Sequence, residues 1–392
     1  MCIRDSFCTV EKIIGMKTPY HYRNKVQAAF YTDKKGKIIS GVYQSGSHHV
    51  VGIDSCQTED VIADKIIVAV RKLLPSFRMT TYNEDTGKGF LRHILVKRGF
   101  ATNQIMLVLV TGTPVFPSKN NFVKAILKQF PEITTIVQNI NPYRTNLVLG
   151  DNQKVLYGKG YIEDILCGCR FRISPKSFYQ INPVQTEVLY GKAIEFANLK
   201  GNETVLDTYC GIGTIGIIAA KNGAGNVIGA ELNGDAVRDA IVNARANNLK
   251  NIRFYKADAG EFMREAADED EKPDVVFMDP PRAGSDEAFL SSVVTLSPKK
   301  VVYVSCNPET LARDLRYLTK HGYKAEEAWG YDMFAWSEHV ESIVLLSKLK
   351  SNKLKHINVE LEMDELDLMA AESKAIYAEV KDYVSEAKRI ES

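Results

Sequence analysis

The chain has 392 residues, 45% of them hydrophobic and 25% charged, with a formal net charge of +2. This is an ordinary globular balance with room for two domains, and so small a net charge says little about partners. No apolar run approaches roughly 18–20 residues, so helical membrane spans are not expected, and the N-terminus shown lacks the long apolar stretch of a secretory leader.

The seven cysteines (Cys2, Cys8, Cys56, Cys167, Cys169, Cys210 and Cys306) are scattered and odd in number. They suit a reducing cytoplasm better than a disulfide framework. The opening MCIRDSF joins no pattern that follows it, so residues 1–17 are set apart as an irregular N-terminus, native or a scar.

From Thr18 to Arg172, KIISGVYQ, FLRHILVKRG and QIMLVLVTG read as strands. NNFVKAILKQF and EDVIADKIIVAVRKLL carry apolar residues at helical spacing. The expectation is an α+β domain with antiparallel strands over residues 18–172. From Ile173 to Lys348 the pattern changes. TVLD, NVIGAE, IRFYKAD, DVVFMDPP and VVYVSC alternate with helical segments such as TIGIIAAKN and GDAVRDAIVNARANN. That alternation predicts a parallel, doubly wound, Rossmann-like α/β sheet over residues 173–348. Residues 349–392 turn acidic at VELEMDELDL and end in an amphipathic helical pattern, which reads as an appendage. There is no internal repeat.

The first strand of the second region ends at Asp207 and runs into CGIGTIG, where Gly211, Gly213 and Gly216 satisfy G-x-G-x-x-G. Glycines there let backbone approach a ligand and let the helix pack on the strand. Glu231 closes the next strand, where a carboxylate can accept from both ribose hydroxyls. The motif fits a nicotinamide dinucleotide and S-adenosylmethionine about equally well; a bare turn with no ligand is the bland alternative. Asp207 tilts the choice only slightly toward S-adenosylmethionine.

Two further strand ends carry chemistry. Asp279-Pro280-Pro281-Arg282 closes the fourth strand with a rigid, extended strip that can face a planar base, although a plain turn tolerates the same residues. Cys306 ends the fifth strand before Asn-Pro, beside that strip. A cysteine can be a small hydrophobe in a strand. At a strand's C-terminal end, near Arg282 to lower its pKa, it is a candidate nucleophile. In SEHVESIVLL, Glu338, His339 and Glu341 stand where a turn enters a strand, and the apolar run after Glu341 argues for a buried carboxyl suited to general base work. Gln180 lies among aromatics in SPKSFYQIN, with Phe178 and Tyr179 read as core.

Together SFYQINPVQTEVLY, LDTYCGIGTIG, GAELN, MDPPRAG, VSCNPETLARDL and HVESIVLL resemble the RNA uracil-C5 methyltransferases, nearest to the branch that modifies 23S ribosomal RNA. The likeness covers about Thr18 to Lys348. It implies an S-adenosylmethionine-dependent methyltransferase domain preceded by an α+β RNA-binding domain. It implies Cys306 as nucleophile, Glu341 as base, and Gln180, Tyr209, Glu231 and Asp279 as cofactor contacts, with Thr214 and Asp258 added. The implied chemistry is attack of the cysteine on uracil C6, methylation at C5, removal of the C5 proton by Glu341 and release of Cys306. Arg282 is a candidate for the uracil carbonyl.

The expected partner is RNA, with no DNA and no membrane. Its phosphates would meet Arg23 and Lys25 in PYHYRNK, and Arg92, His93, Lys97 and Arg98 in the strand FLRHILVKRG. The chain departs from the family pattern in two places. No N-terminal barrel precedes the matching region, and of four iron–sulfur ligands only Cys56 has a counterpart, so a cluster is not expected. Cys167 and Cys169 read as structural. The tail resembles a longer extension, so both ends read as cut short. The alternatives are a transfer RNA uracil-C5 methyltransferase, a catalytically inactive RNA-binding protein, and a dehydrogenase, which leaves Cys306 without a role.

Overall fold

Among the described residues, two large sheets and a two-stranded hairpin are formed, seen in a computed structural model that describes residues 9–269 and 272–349. In chain order the first elements are β1 (Val10–Ile14), β2 (Lys25–Thr32), β3 (Ile38–Tyr43), β4 (Val50–Gly52), α1 (Val61–Leu73), β5 (Leu91–Arg98), β6 (Ile105–Thr111), α2 (Lys119–Gln129), β7 (Ile133–Ile140) and β8 (Asn152–Tyr157). Strands β2 to β8 form a seven-stranded sheet in the order β4-β3-β2-β5-β6-β7-β8. Every residue of β6 is buried, as expected of a central strand covered on both faces. Val26, Ala28 and Phe30 on β2 pack with Ile66, Ile67 and Val70 of α1 in one core cluster. Helix α1 starts where the Asp60 carboxylate accepts from the Ile62 and Ala63 amides, both at 3.0 Å.

This sheet is mixed rather than antiparallel throughout. β6 and β7 run parallel because α2 carries the chain from the end of one to the start of the other. A second correction concerns residues 1–17. Val10–Ile14 is a strand, paired parallel with Ala328–Tyr331 at the edge of the other sheet. Its side chains are mostly exposed, so no amphipathic alternation marked it in the sequence.

The hairpin β9 (Ile162–Leu166) and β10 (Cys169–Ile173) turns at Cys167 and Gly168, both with positive φ. The boundary drawn at Arg172 falls inside β10. That strand leans on the following region, its Arg170 and Arg172 amides donating to Asn247 and Asn243 at 2.9 and 2.7 Å. Cys169 is core, and burial pushes the Cys167 thiol up to about 12.

The remaining elements are α3 (Pro183–Ala197), β11 (Thr204–Asp207), α4 (Thr214–Lys221), β12 (Asn226–Glu231), α5 (Gly234–Ala246), β13 (Ile252–Lys256), α6 (Ala259–Asp268), β14 (Val275–Met278), α7 (Glu287–Leu296), β15 (Lys300–Ser305), α8 (Pro308–Lys320), β16 (Tyr323–Tyr331) and β17 (Glu341–Lys348). They form an eight-stranded sheet in the order β1-β16-β17-β15-β14-β11-β12-β13. β11 to β15 are parallel, and β17 inserts antiparallel between β15 and β16. The chain winds from β11 outward to β13, then returns to β14 on β11's other side. The switch point, where such folds bind ligands, therefore lies at the ends of β11 and β14. The fold is the parallel, doubly wound, Rossmann-like α/β architecture expected from the alternating pattern.

Among the described residues no helix is long and apolar enough to cross a membrane. The opening MCIRDSF and the extension past residue 349 lie outside the described residues.

Candidate active site

Loops at the C-terminal ends of β11, β12, β14 and β15, the segment Phe178–Gln180 and the entry to β17 enclose a cavity of about 490 Å³. Gln180, Tyr209, Thr214, Glu231, Asp279, Arg282, Cys306 and Glu341 all line it. Asp258 does not. It caps α6, accepting from the Gly260 and Glu261 amides at 2.9 and 3.2 Å. A strand-end aspartate before a helix reads the same in sequence whether it caps or binds.

One half of the cavity is built on backbone. Gly213 has φ 81°, and a Cβ there would stand 2.7 Å from Phe254 Cζ, so only glycine fits the turn. The Glu231 carboxylate is held from both oxygens, by the Gly211 amide at 3.1 Å and the Asn233 amide at 2.7 Å. Each oxygen keeps a lone pair for a ligand hydroxyl. Asp207 Oδ2 accepts from the Gly216 amide at 2.8 Å. Burial, then the neighbouring Asp279 and Glu231 carboxyls, raise Asp207 to about 7 against that hydrogen bond.

Gln180 is fixed by Asn24, the residue before β2, whose side chain donates to its backbone carbonyl at 3.0 Å. Tyr190, whose α3 position reads as ordinary core, lines the cavity and interacts through its hydroxyl with Thr214 and Gln180. Phe178 and Tyr179 separate: Tyr179 is buried, but Phe178 is 62% exposed at the cavity's edge rather than core.

The other half is built on strand pairing. β15 and β17 are antiparallel with Ser305 opposite Ser342. Cys306 follows Ser305 and Glu341 precedes Ser342, so both stand just past that pair; both line the cavity, and the Glu341 charge acts on the Cys306 thiol. Asn307 caps α8, accepting from the Glu309 amide at 3.0 Å, and donates its side-chain amide to the Arg282 carbonyl at 3.0 Å. Thr310 donates to the same carbonyl at 3.3 Å, and Arg313 donates to the Ser285 carbonyl at 2.7 Å. Behind them the fully buried Asp314 accepts from the Ser285 amide at 2.9 Å and the Tyr303 hydroxyl at 2.7 Å. The Asp-Pro-Pro-Arg turn and the cysteine turn are thus one hydrogen-bonded unit. Asp314, which lies in the VSCNPETLARDL motif but has no role assigned there, supports that unit.

The electrostatics correct one expectation. Arg282 does pull the Cys306 thiol down, but burial and the Glu341 charge outweigh it, and the net direction is up. Glu341, only 2% exposed, is raised well above the ordinary carboxyl value by burial and then by Asp279. Asp279 is raised to about 7 by burial. Four carboxyls (Asp207, Glu231, Asp279 and Glu341) face a cavity with Arg282 as its one lining cation. The lining fits a cationic ligand bearing a ribose, which is the chemistry of S-adenosylmethionine.

The expected phosphate contacts on β5 are instead internal. Arg92 grips Glu84 through two nitrogens, at 3.0 and 2.7 Å, and His93 is buried, with burial lowering it to about 4. Lys97 donates to the Ser174 and Ser177 carbonyls at 2.9 and 2.8 Å, with burial lowering it to about 7. Arg98 pairs with Asp60 at 2.6 Å. A basic strand reads as a solvated face until tertiary structure covers it. Arg23 and Lys25 are half-buried and lie outside the cavity lining. Cys56 is half-buried, its sulfur 3.3 Å from the Thr58 hydroxyl; among the described residues no group of three or more His, Cys, Asp or Glu could hold a metal.

Comparison with known proteins agrees with this geometry. The family model described as tRNA (uracil-5-)-methyltransferase matches residues 143–349. A Bacillus cereus protein described as an uncharacterized RNA methyltransferase is 43% identical over 87% of this chain and 74% of its own length. A Halalkalibacterium halodurans protein of the same description is 44% identical over 86% of this chain and 73% of its own. Among solved structures, the Pyrococcus abyssi tRNA (uracil-54, C5)-methyltransferase in complex with S-adenosyl-L-homocysteine superposes with a TM-score of 0.72 at 28% identity, covering 86% of this chain and 78% of that one.

Proposed function

The chain belongs to the RNA uracil-5-methyltransferase family and uses S-adenosylmethionine, and from that premise we propose that it methylates C5 of a uridine in 23S ribosomal RNA through a covalent bond from Cys306. The observation that supports the chemistry is that Cys306 and Glu341 line one cavity, with the Glu341 charge acting on the Cys306 thiol. The ribosomal substrate rests on the likeness of the six motifs to that branch. In this reading the enzyme works in the cytoplasm, where its RNA substrate is.

In this reading Gln180, Tyr209, Thr214, Glu231 and Asp279 hold the cofactor, which supplies an electrophilic methyl group from its sulfonium. Uracil C5 is a poor nucleophile. The Cys306 thiol gives its proton to solvent at the cavity mouth and the thiolate sulfur bonds to C6; the C5–C6 electrons move into the ring carbonyl system, where Arg282 steadies the negative charge. C5, now nucleophilic, takes the methyl. Glu341 as carboxylate removes the remaining C5 proton, and those electrons re-form the C5–C6 double bond as the C6–sulfur bond breaks. The buried Glu341 is suited to the last step because desolvation makes it a stronger base than a surface carboxylate. The base must leave its stack to enter, at a cost of roughly a few kcal/mol.

Transfer RNA is the second substrate reading, supported by the description of the matching family model and by the Pyrococcus abyssi enzyme's name. The test is covalent trapping on 5-fluorouridine-substituted transcripts with S-adenosylmethionine, run side by side on 23S and transfer RNA. Fluorine at C5 cannot leave as a proton does, so the adduct persists. A band on 23S RNA that is lost in Cys306→Ala supports the proposal; a band on transfer RNA alone replaces the ribosomal substrate.

A further inference from the structure

We propose that Tyr20 and Trp336 form an aromatic platform at the mouth of the catalytic cavity, on which the base next to the target uridine stacks. The inference rests on the reading of Cys306 and Glu341 as the reacting pair and adds the group that receives the neighbouring nucleotide.

Trp336 lies in the connection between β16 and β17. Phe334, two residues before it, and Glu341, five after it, both line the cavity. The loop between is therefore part of the cavity's rim. The indole is 67% exposed and Tyr20 is 43% exposed. Their ring centroids are 5.6 Å apart with planes inclined by 33°. Two adjacent rings left open to solvent beside an RNA-modifying cavity are unlike single apolar residues scattered over a surface.

The platform is held in place. The indole Nε1 donates to the Pro19 carbonyl at 2.9 Å. The Tyr22 hydroxyl donates to the Ala335 carbonyl at 2.9 Å, and the Asn182 side chain donates to the Met333 carbonyl at 3.1 Å. Trp336 itself has φ 67°, a left-handed conformation that is a genuine outlier for a bulky residue. His21 in the apposed segment has φ 53°, held by its amide donating to the Gln57 carbonyl at 2.7 Å. Strain of this kind persists where surrounding contacts over-determine it, and it clusters at ligand clamps. Here the contacts are those from Pro19, Tyr22 and Asn182. Because the indole's only polar atom is already satisfied, its exposed face offers stacking and nothing else.

The chemistry supplies the occupant. When a uridine swings out of its stack, the base beside it loses a stacking neighbour. An aromatic face at the rim replaces that neighbour, and it accepts any base because every base has a π-face. The platform therefore serves a ribosomal or a transfer RNA substrate alike.

The test is kcat/KM on whichever transcript the trapping experiment identifies, measured for the wild type, Trp336→Ala, Trp336→Phe and Tyr20→Ala. Each is assayed on intact RNA and on RNAs made abasic at the position 5′ or 3′ of the target. Trp336→Ala is expected to lose about ten- to a hundredfold on intact RNA, mostly in KM, with Trp336→Phe recovering most of it. On the RNA abasic at the stacked position the wild type falls by the same factor and Trp336→Ala falls no further. Affinity for S-adenosylmethionine is unchanged throughout. No loss in Trp336→Ala, or a loss that multiplies with both abasic losses, overturns the platform. Retained activity in Cys306→Ala overturns the underlying catalytic reading, and leaves the abasic comparison to judge the platform separately.

Discussion

The two halves of the cavity are built by different means. In the cofactor half, Asp207, Gly211, Gly213 and Gly216 lie within one strand–turn–helix, and the backbone positions the ligand groups: amides hold Glu231 and Asp207, and a glycine turn makes room. In the other half, Asp279 and Cys306 are brought together by the parallel pairing of β14 and β15, and Glu341 joins them because β17 inserts antiparallel beside β15. The first half is a local device that many α/β proteins share. The second is a property of this sheet's closure, and it decides the chemistry.

The sharpest way to separate the halves is to remove the proposed nucleophile. Cys306→Ala is expected to reduce methyl transfer to background and abolish the 5-fluorouridine adduct, while equilibrium dialysis finds S-adenosylmethionine affinity unchanged. A parallel loss of cofactor binding would show that the halves are not independent.

Next in size is Glu341→Gln, which keeps shape and removes the proposed base. Turnover should fall about 10²- to 10⁴-fold. The C5 proton now stays, so a covalent adduct should accumulate on ordinary, unfluorinated RNA and be visible on a denaturing gel. Since Glu341 and Cys306 are both raised, and both act deprotonated, the wild-type rate should still be climbing with pH at neutrality. A flat profile there would contradict the buried pair.

The cofactor half answers to a stability measurement. Asp207 is fully buried and raised to about 7, so its folded form holds a proton more tightly than the unfolded chain, where the value is about 3.9. Its stabilising contribution is complete below about 3.9 and is lost as pH climbs through about 7. The difference amounts to something on the order of 4 kcal/mol. Asp207→Asn should therefore be more stable than the wild type at pH 8 in urea unfolding and should flatten the decline between pH 4 and 7. Equal stability at pH 8 would mean that the Gly216 hydrogen bond already offsets the burial.

Smallest is the effect expected outside the cavity. Lys25→Ala should weaken RNA binding a few-fold and reduce the slope of log affinity against log salt by about one. An unchanged slope would remove Lys25 from the RNA surface, as burial already removes Arg92 and Lys97.

The sequence by itself determined the elements and the local motifs. Helical and strand periods marked α1, α2 and the alternating strands of the second region, and the glycine turn located the cofactor half. Those signals are local, because hydrogen bonding and glycine's conformational range act over a few residues. Tertiary structure alone decided what each polar residue faces. It enlisted Val10–Ile14 as an edge strand, turned the basic residues of β5 inward to Glu84, Ser174 and Ser177, assigned Asp258 to a helix cap, and exposed Phe178. It also reversed the direction of the Cys306 shift, because desolvation and the Glu341 charge depend on neighbours that the chain brings together from afar. Burial and charge proximity are sums over the whole fold, and no window of sequence contains them.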